Sequence, residues 1–317
     1  MAGEKSTSDA AGRPDLKVIH FMKVRTLATV LSVILVLGSV VSLAVNGINW
    51  GLDFTGGTLV ELSYDKPADI SEIRDQLEQM GHGDAIAQEF GSESDVLIRI
   101  PGDMATLGNS VSENLAAQYD GKVQVKRVEF VGPQVGDRLR EQGGLGMLMA
   151  LGLVMAYIAF RFQFKFSVGA VTSLAHDAIV VLGVFSFFQL QFDLTVMAAL
   201  LAVIGYSLND TIIVYDRVRE NFRKMRKGTA IEIINVSLTQ TLGRTLATSG
   251  TTIMVLLSLF FLGGDMIHNF SVALLIGIVI GTSSSIYIAC NVLLYMKISR
   301  EDLIIPVKKD DELDDMP

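Results

Sequence analysis

Six apolar blocks recur along the chain, at residues 26–45, 145–160, 166–188, 194–215, 246–262 and 270–296. A backbone in hydrocarbon has no water to bond and must satisfy its own N–H and C=O groups. A helix of about 20 residues does this while crossing a core of roughly 30 Å. Half of the residues are hydrophobic and the mean hydropathy is +0.44, a composition that points to a membrane protein. The fold class expected is therefore a polytopic α-helical membrane protein with six transmembrane helices. The second block is short and is expected to begin near Gly143.

Cytoplasmic loops are enriched in Lys and Arg, and here the signal agrees at every turn. Lys17, Lys23 and Arg25 precede the first block, and Arg161 and Lys165 separate the second from the third. Arg217, Arg219, Arg223, Lys224, Arg226 and Lys227 follow the fourth, and Lys297 and Arg300 follow the sixth, whereas residues 189–193 and 263–269 carry neither Lys nor Arg. Both termini are expected to be cytoplasmic. The organisation that follows is a cytoplasmic segment 1–25, a first helix 26–45, an external domain 46–142, helices two to six within 143–296 with a basic loop 216–245, and an acidic tail 297–317. The basic flank, apolar run and small residues Ser42 and Ala44 also fit a cleaved signal peptide. The apolar run, however, is longer than a usual signal core, which favours the spanning reading.

The net charge of −8 arises mainly in the external segment and in the tail acids Asp310, Asp311, Glu312, Asp314 and Asp315, which argues against nucleic acid as a partner. A single cysteine, Cys290, allows no internal disulfide and reads as a packing residue. Within the external segment the pattern predicts strand 57–64, helix 69–80, strands 85–90 and 95–100, helix 109–119 and strand 123–131. Asp69 is placed as an N-cap and Gly81 as a helix stop. This order is that of a split βαβ, ferredoxin-like α+β unit. Just before it, residues 49–57 read NWGLDFTGG, in which Trp50, Asp53, Phe54, Gly56 and Gly57 are candidates for a hinge or a contact site. One reading is an interfacial aromatic anchor with a flexible hinge; the other is a pivot or an apolar contact for an unfolded chain.

No phosphate-binding loop, HExxH, GxSxG or metal-spaced Cys/His cluster occurs, so neither an enzyme activity, a metal nor another cofactor is expected. What remains is a set of polar residues inside the apolar blocks. Asn209 and Asp210 sit in the fourth, with Tyr206 one turn earlier and Ser207 nearby. A carboxylate at the centre of a membrane helix costs about 2.5–3.5 kcal/mol on insertion scales, so it is by default a candidate for ion or proton handling. Arg244 opens the fifth block, followed by Thr248 and Thr251 within a polar stripe that includes Thr241, Thr245 and Thr252. His176 and Asp177 lie midway along the third, and Asp216 lies near the inner surface. Asp210, Arg244, Thr248 and Asn209 form the candidate proton pathway, with protons as the coupling ion. His176, Asp177 and Asp216 are secondary polar candidates. Each has a structural alternative: Asp210 in a static ion pair, His176 and Asp177 satisfying each other, Arg244 reaching the membrane surface, and Asp216 a boundary residue. Gly277 and Gly281 form a small-xxx-small pair suited to close helix packing.

The motifs GLDFTGG at 51–57, EFVGPQVG at 129–136, AHD at 175–177, GYSLNDTIIVYDRVREN at 205–221 and NVSLTQTLGRTLATSGTT at 235–252 together resemble the SecF family. This is the smaller subunit of the bacterial SecD/SecF protein-export membrane complex, within the resistance-nodulation-division superfamily. The resemblance implies an inner-membrane protein with a periplasmic domain that works with SecD beside the SecYEG channel. It also implies use of the proton motive force to complete export of unfolded polypeptides, with the proton path at Asp210, Arg244 and Thr248. Six spans look like half a transporter, and a homologous six-span partner would complete it. Two other readings stay open: a proton-coupled exporter of lipids or small molecules from the same superfamily, and a non-conducting structural subunit.

Overall fold

The computed structural model describes residues 17–101, 107–119, 121–225 and 227–303; Arg226 and the tail acids Asp310, Asp311, Glu312, Asp314 and Asp315 lie outside them. The elements in chain order are α1 (Arg25–Asn46), α2 (Leu52–Thr55), β1 (Gly57–Tyr64), α3 (Ile70–Gln79), β2 (Ile86–Phe90), β3 (Ser92–Ile100), α4 (Leu107–Gln118), β4 (Val123–Val131), α5 (Pro133–Arg161), α6 (Phe164–Phe187), α7 (Leu194–Lys224), α8 (Ala230–Leu262) and α9 (Asp265–Tyr295). Six of these helices are long and apolar enough to cross a membrane.

Three of the spans are parts of markedly longer helices. The second begins at Pro133, ten residues before Gly143, because Gly132 is extended and Pro133 stands in the first turn, where its fixed φ suits a helix. The basic stretch 216–245 is mostly helical. Arg223 and Lys224 occupy the last turn of α7, where cations favour the helix dipole, and Lys224 pairs with Glu220 at 2.5 Å. Thr229 then opens α8 with a capping box: the Glu232 N–H donates to the Thr229 hydroxyl, and the Thr229 N–H donates to Glu232. Hydropathy sees only the apolar part of such helices.

The α+β domain has the expected order. Its sheet runs β2-β3-β1-β4 with every neighbouring pair antiparallel. Alternation along β1 and β3 sends Val60, Leu62, Ile98 and Ile100 to one face, where α3 and α4 cover them with Ile73, Leu77, Val111 and Leu115. Asp69 caps α3 by accepting from Ser71 and Glu72 N–H, and Gly81 ends it at a positive φ. The opposite face carries Leu59 and Leu97, which pack on Leu52 of α2 and so join the sheet to the segment leading in from α1.

In the bundle α6, α7 and α9 form the centre, α1 packs on α6, and α8 packs on α7 and α9. Small residues set these approaches, as expected for helices that have no hydrophobic drive to associate in lipid. A Cβ on Gly277 would lie 2.1 Å from Val203 Cγ2, and one on Gly281 would lie 3.0 Å from Ser207 Cβ, so the glycine pair on α9 receives α7 directly. Gly183 of α6 receives Ser39 of α1 in the same way. Gly277→Ala is expected to push α7 from α9 and to destabilise the bundle by about 1–3 kcal/mol. The measurement is thermal unfolding in detergent, with Val203→Ala in the same chain restoring most of the loss.

Candidate functional site

The candidate residues fall into three main environments. The first is a cluster that joins the central helices. Asp177 of α6 is fully buried, and its Oδ2 accepts from Ser207 of α7 at 2.5 Å and from Ser284 of α9 at 2.8 Å. Its Oδ1 lies 2.9 Å from His176 Nδ1. Ser173, one turn earlier on α6, donates to Ser284 at 2.9 Å. One carboxylate thus binds three helices in a region where no solvent bonds compete. Ser173 and Ser284 were overlooked by sequence reasoning, although the run Thr282–Ser285 inside an apolar block was a visible signal.

The second environment is that of Asp210, one turn beyond Ser207. Asp210 is fully buried, and neither of its carboxylate oxygens has a hydrogen-bond partner among the described residues. The hydroxyls of Thr211 beside it and of Thr245 on α8 are likewise buried and unpartnered. No hydrogen bond or ion pair among the described residues joins Asp210 to Arg244 of α8. The direct pair suggested by residue type is absent from this structure for a geometric reason. The buried face of α8 is set by Leu238, Thr241, Thr245 and Ser249, and Arg244, about 100° around from Thr245, is exposed. Asn209 is separated from Asp210 in the same way and faces outward on α7. Thr248 is half-buried and donates to the Arg244 and Thr245 carbonyls, and Thr251 and Thr252 also bond back to their own helix. The interhelical hydroxyl chain present is another one: Tyr206 of α7 donates to Ser249 of α8, which lies 2.9 Å from Thr282 of α9. Asp216 sits half-exposed at the end of the bundle, 3.6 Å from Arg161 and 3.7 Å from Arg219.

The third environment is residues 49–57. Gly51 N–H donates to the Phe192 carbonyl at 2.7 Å, and Phe192 N–H donates to the Asn49 carbonyl at 2.8 Å. A Cβ on Gly51 would lie 2.9 Å from that of Asp193, so glycine is needed for this approach. Asp53 Oδ2 accepts from Leu194 N–H at 2.9 Å, capping the first turn of α7 from outside that helix. Phe54 is buried against Trp50, Phe192 and Phe185, and the Trp50 carbonyl accepts from Arg99 of β3 at 3.0 Å. Burial lowers the Arg99 guanidinium below its ordinary value. Gly56 and Gly57 both have positive φ, and a Cβ on Gly57 would lie 2.8 Å from the Ile100 carbonyl oxygen. The segment is docked in this structure, and its Phe54 presents no surface to a passing chain.

The protein-export membrane protein SecD/SecF C-terminal family model matches residues 111–299, and the SecD/SecF GG motif matches residues 41–68. A protein translocase subunit SecF from Pseudomonas aeruginosa is 53% identical over 300 residues, covering 94% of this chain and 98% of that one. The chain belongs to the SecF family. A crystal structure of SecDF, a translocon-associated membrane protein from Thermus thermophilus, superimposes with a TM-score of 0.82 at 33% identity. That alignment covers 90% of this chain, which spans 40% of the solved one. A second SecDF crystal structure, in a super-membrane-facing form, has a TM-score of 0.67 at 34% identity over the same share. The SecF-family GG match contains the docked segment, and the C-terminal match contains both the Asp177 cluster and Asp210.

Asp177→Ala would leave the hydroxyls of Ser207 and Ser284 and the ring of His176 without their shared acceptor. It is expected to lower stability by about 1–3 kcal/mol, with Asp177→Asn costing less because an acceptor remains. Unfolding in detergent followed by tryptophan fluorescence and by protease sensitivity measures the difference. An Asp177→Ala chain as stable as the parent would show that the serines re-pair with their own helix carbonyls.

Proposed function

We propose that this chain is the proton-driven SecF subunit of a bacterial inner-membrane export complex. In that reading it works with SecD beside the SecYEG channel, both termini lie in the cytoplasm, and the α+β domain faces the periplasm and acts on emerging unfolded polypeptides late in their passage. The proton is the coupling ion, and neither an enzyme activity nor another cofactor is invoked. The observation that carries the reading is Asp210, a carboxylate wholly buried in a membrane helix with no hydrogen-bond partner among the described residues and with Arg244 on the adjacent helix.

The charge logic is simple. Ionised, Asp210 requires a counter-charge, and Arg244 on α8 is placed to supply it if the helices shift; protonated, it is neutral and needs none. A proton arriving or leaving therefore changes which packing of α7 against α8 is favoured. A membrane potential contributes about 2.3 kcal/mol for each charge moved across 100 mV, enough to bias such an equilibrium more than tenfold. The docked segment provides the mechanical link: α7 carries Asp210, and its first turn is capped by Asp53, next to the Trp50 carbonyl that Arg99 of the domain holds.

Cells whose only copy carries Asp210→Asn are expected to clear a secretory precursor from the membrane as slowly as cells lacking the protein, at matched levels of this chain and of SecD. Arg244→Met is expected to give a comparable defect. Normal clearance in the Asp210→Asn strain would make the carboxylate structural and the chain a non-conducting subunit.

A further inference from the structure

At the end of the bundle away from the α+β domain, Arg161, Asp216, Arg219, Glu220, Arg223 and Lys224 line an open cavity of about 340 Å³ between the last turn of α5 and the last turns of α7. Four cations face two carboxylates there. Asp216 is shared by Arg161 and Arg219, and Glu220 by Arg217 and Lys224. No ion pair among the described residues reaches Arg223, and Arg219 Nε is buried without a partner. The guanidinium groups of Arg161 and Arg219 also lie 5.3 and 5.4 Å from the centre of the Phe162 ring, which holds them in place.

A topology signal needs Lys and Arg near the ends of the spans but does not need them gathered around one cavity. Gathering them costs mutual repulsion, which an anion relieves. The neighbouring surface suits an anion that carries an acyl chain. Leu153, Tyr157 and Phe160 recur at helical spacing on α5, are all exposed, and lead to Arg161, and Phe164 is exposed just beyond. A soluble anion would make no use of that face, whereas a lipid tail would cover it.

We propose that this cavity binds the phosphate headgroup of an anionic phospholipid whose acyl chain lies along Leu153, Tyr157 and Phe160. Basic pockets between helix ends are suited to such headgroups. A bound headgroup bridges Arg161 of α5 and Arg223 of α7, and so couples the helix that follows the domain to the helix that carries Asp210.

The test uses the full-length chain extracted from vesicles of phosphatidylethanolamine and phosphatidylglycerol, with co-purifying lipid measured by native mass spectrometry. The parent chain is expected to retain phosphatidylglycerol over phosphatidylethanolamine, and Arg161→Gln with Arg223→Gln to reduce that retention about thirtyfold. Arg223→Gln alone, at a side chain with no ion pair to lose, is expected to reduce it about fivefold without altering thermal unfolding. Lys17→Gln with Lys23→Gln, which removes the same charge away from the cavity, is expected to leave retention unchanged. Equal retention in the Arg161/Arg223 variant, equal loss in the Lys17/Lys23 variant, or displacement of the lipid by millimolar inorganic phosphate would overturn the proposal.

Discussion

The carboxylate of Asp177 fixes the centre of this bundle. Lipid supplies no hydrophobic drive for one helix to seek another, so association rests on close packing and on polar bonds that have no solvent competitor. Asp177 supplies the bonds by accepting from Ser207 and Ser284, and Gly277 and Gly281 supply the proximity by admitting Val203 and Ser207. Ser207 takes part in both, which fixes the register of α7 between α6 and α9. Asp210 lies one turn further along the same helix, so its placement follows from that clamp.

The two acids show how environment separates roles. Both oxygens of Asp177 have hydrogen-bond partners, whereas Asp210 is equally buried and neither of its oxygens has one among the described residues. A buried polar group without a partner costs stability, and the proposed proton step gives Asp210 a second arrangement at the interface with α8. The face of α7 toward α6 and α9 is bonded and closely packed, while its contact with α8 contains the Asp210 carboxylate and the Thr245 hydroxyl, which have no hydrogen-bond partner among the described residues. Movement is therefore expected at α7–α8, with α6, α7 and α9 acting as the frame. At the other end of α7, the Asp53 cap and the Trp50–Phe54–Phe192 cluster connect that frame to the α+β domain.

Much of this architecture was legible in the residues. Apolar blocks located all six spans, and alternation with the Asp69 cap located the strands and helices of the domain, because these signals are local. The ends of the helices were less legible: Pro133 and the Thr229 capping box carry α5 and α8 well beyond their apolar parts. Directions around a helix were the least legible. One residue step turns a side chain by about 100°, so Asn209 and Asp210, adjacent in sequence, face outward and inward, and Arg244 leaves the bundle where Thr245 enters it. The bonds from Asp177 to Ser284 and from Asp53 to Leu194 join residues 107 and 141 positions apart, and no local pattern marks such partners. The segment 49–57 contains the glycines of a hinge, yet Gly51 and Gly57 serve close backbone approach.

The central claim is that Asp210 carries the proton. Proton uptake into vesicles reconstituted with this chain and SecD under an imposed membrane potential tests it most directly, comparing the parent chain with Asp210→Asn at equal incorporation. The account predicts uptake in the parent and background leakage in the variant. Equal uptake in the two would contradict it.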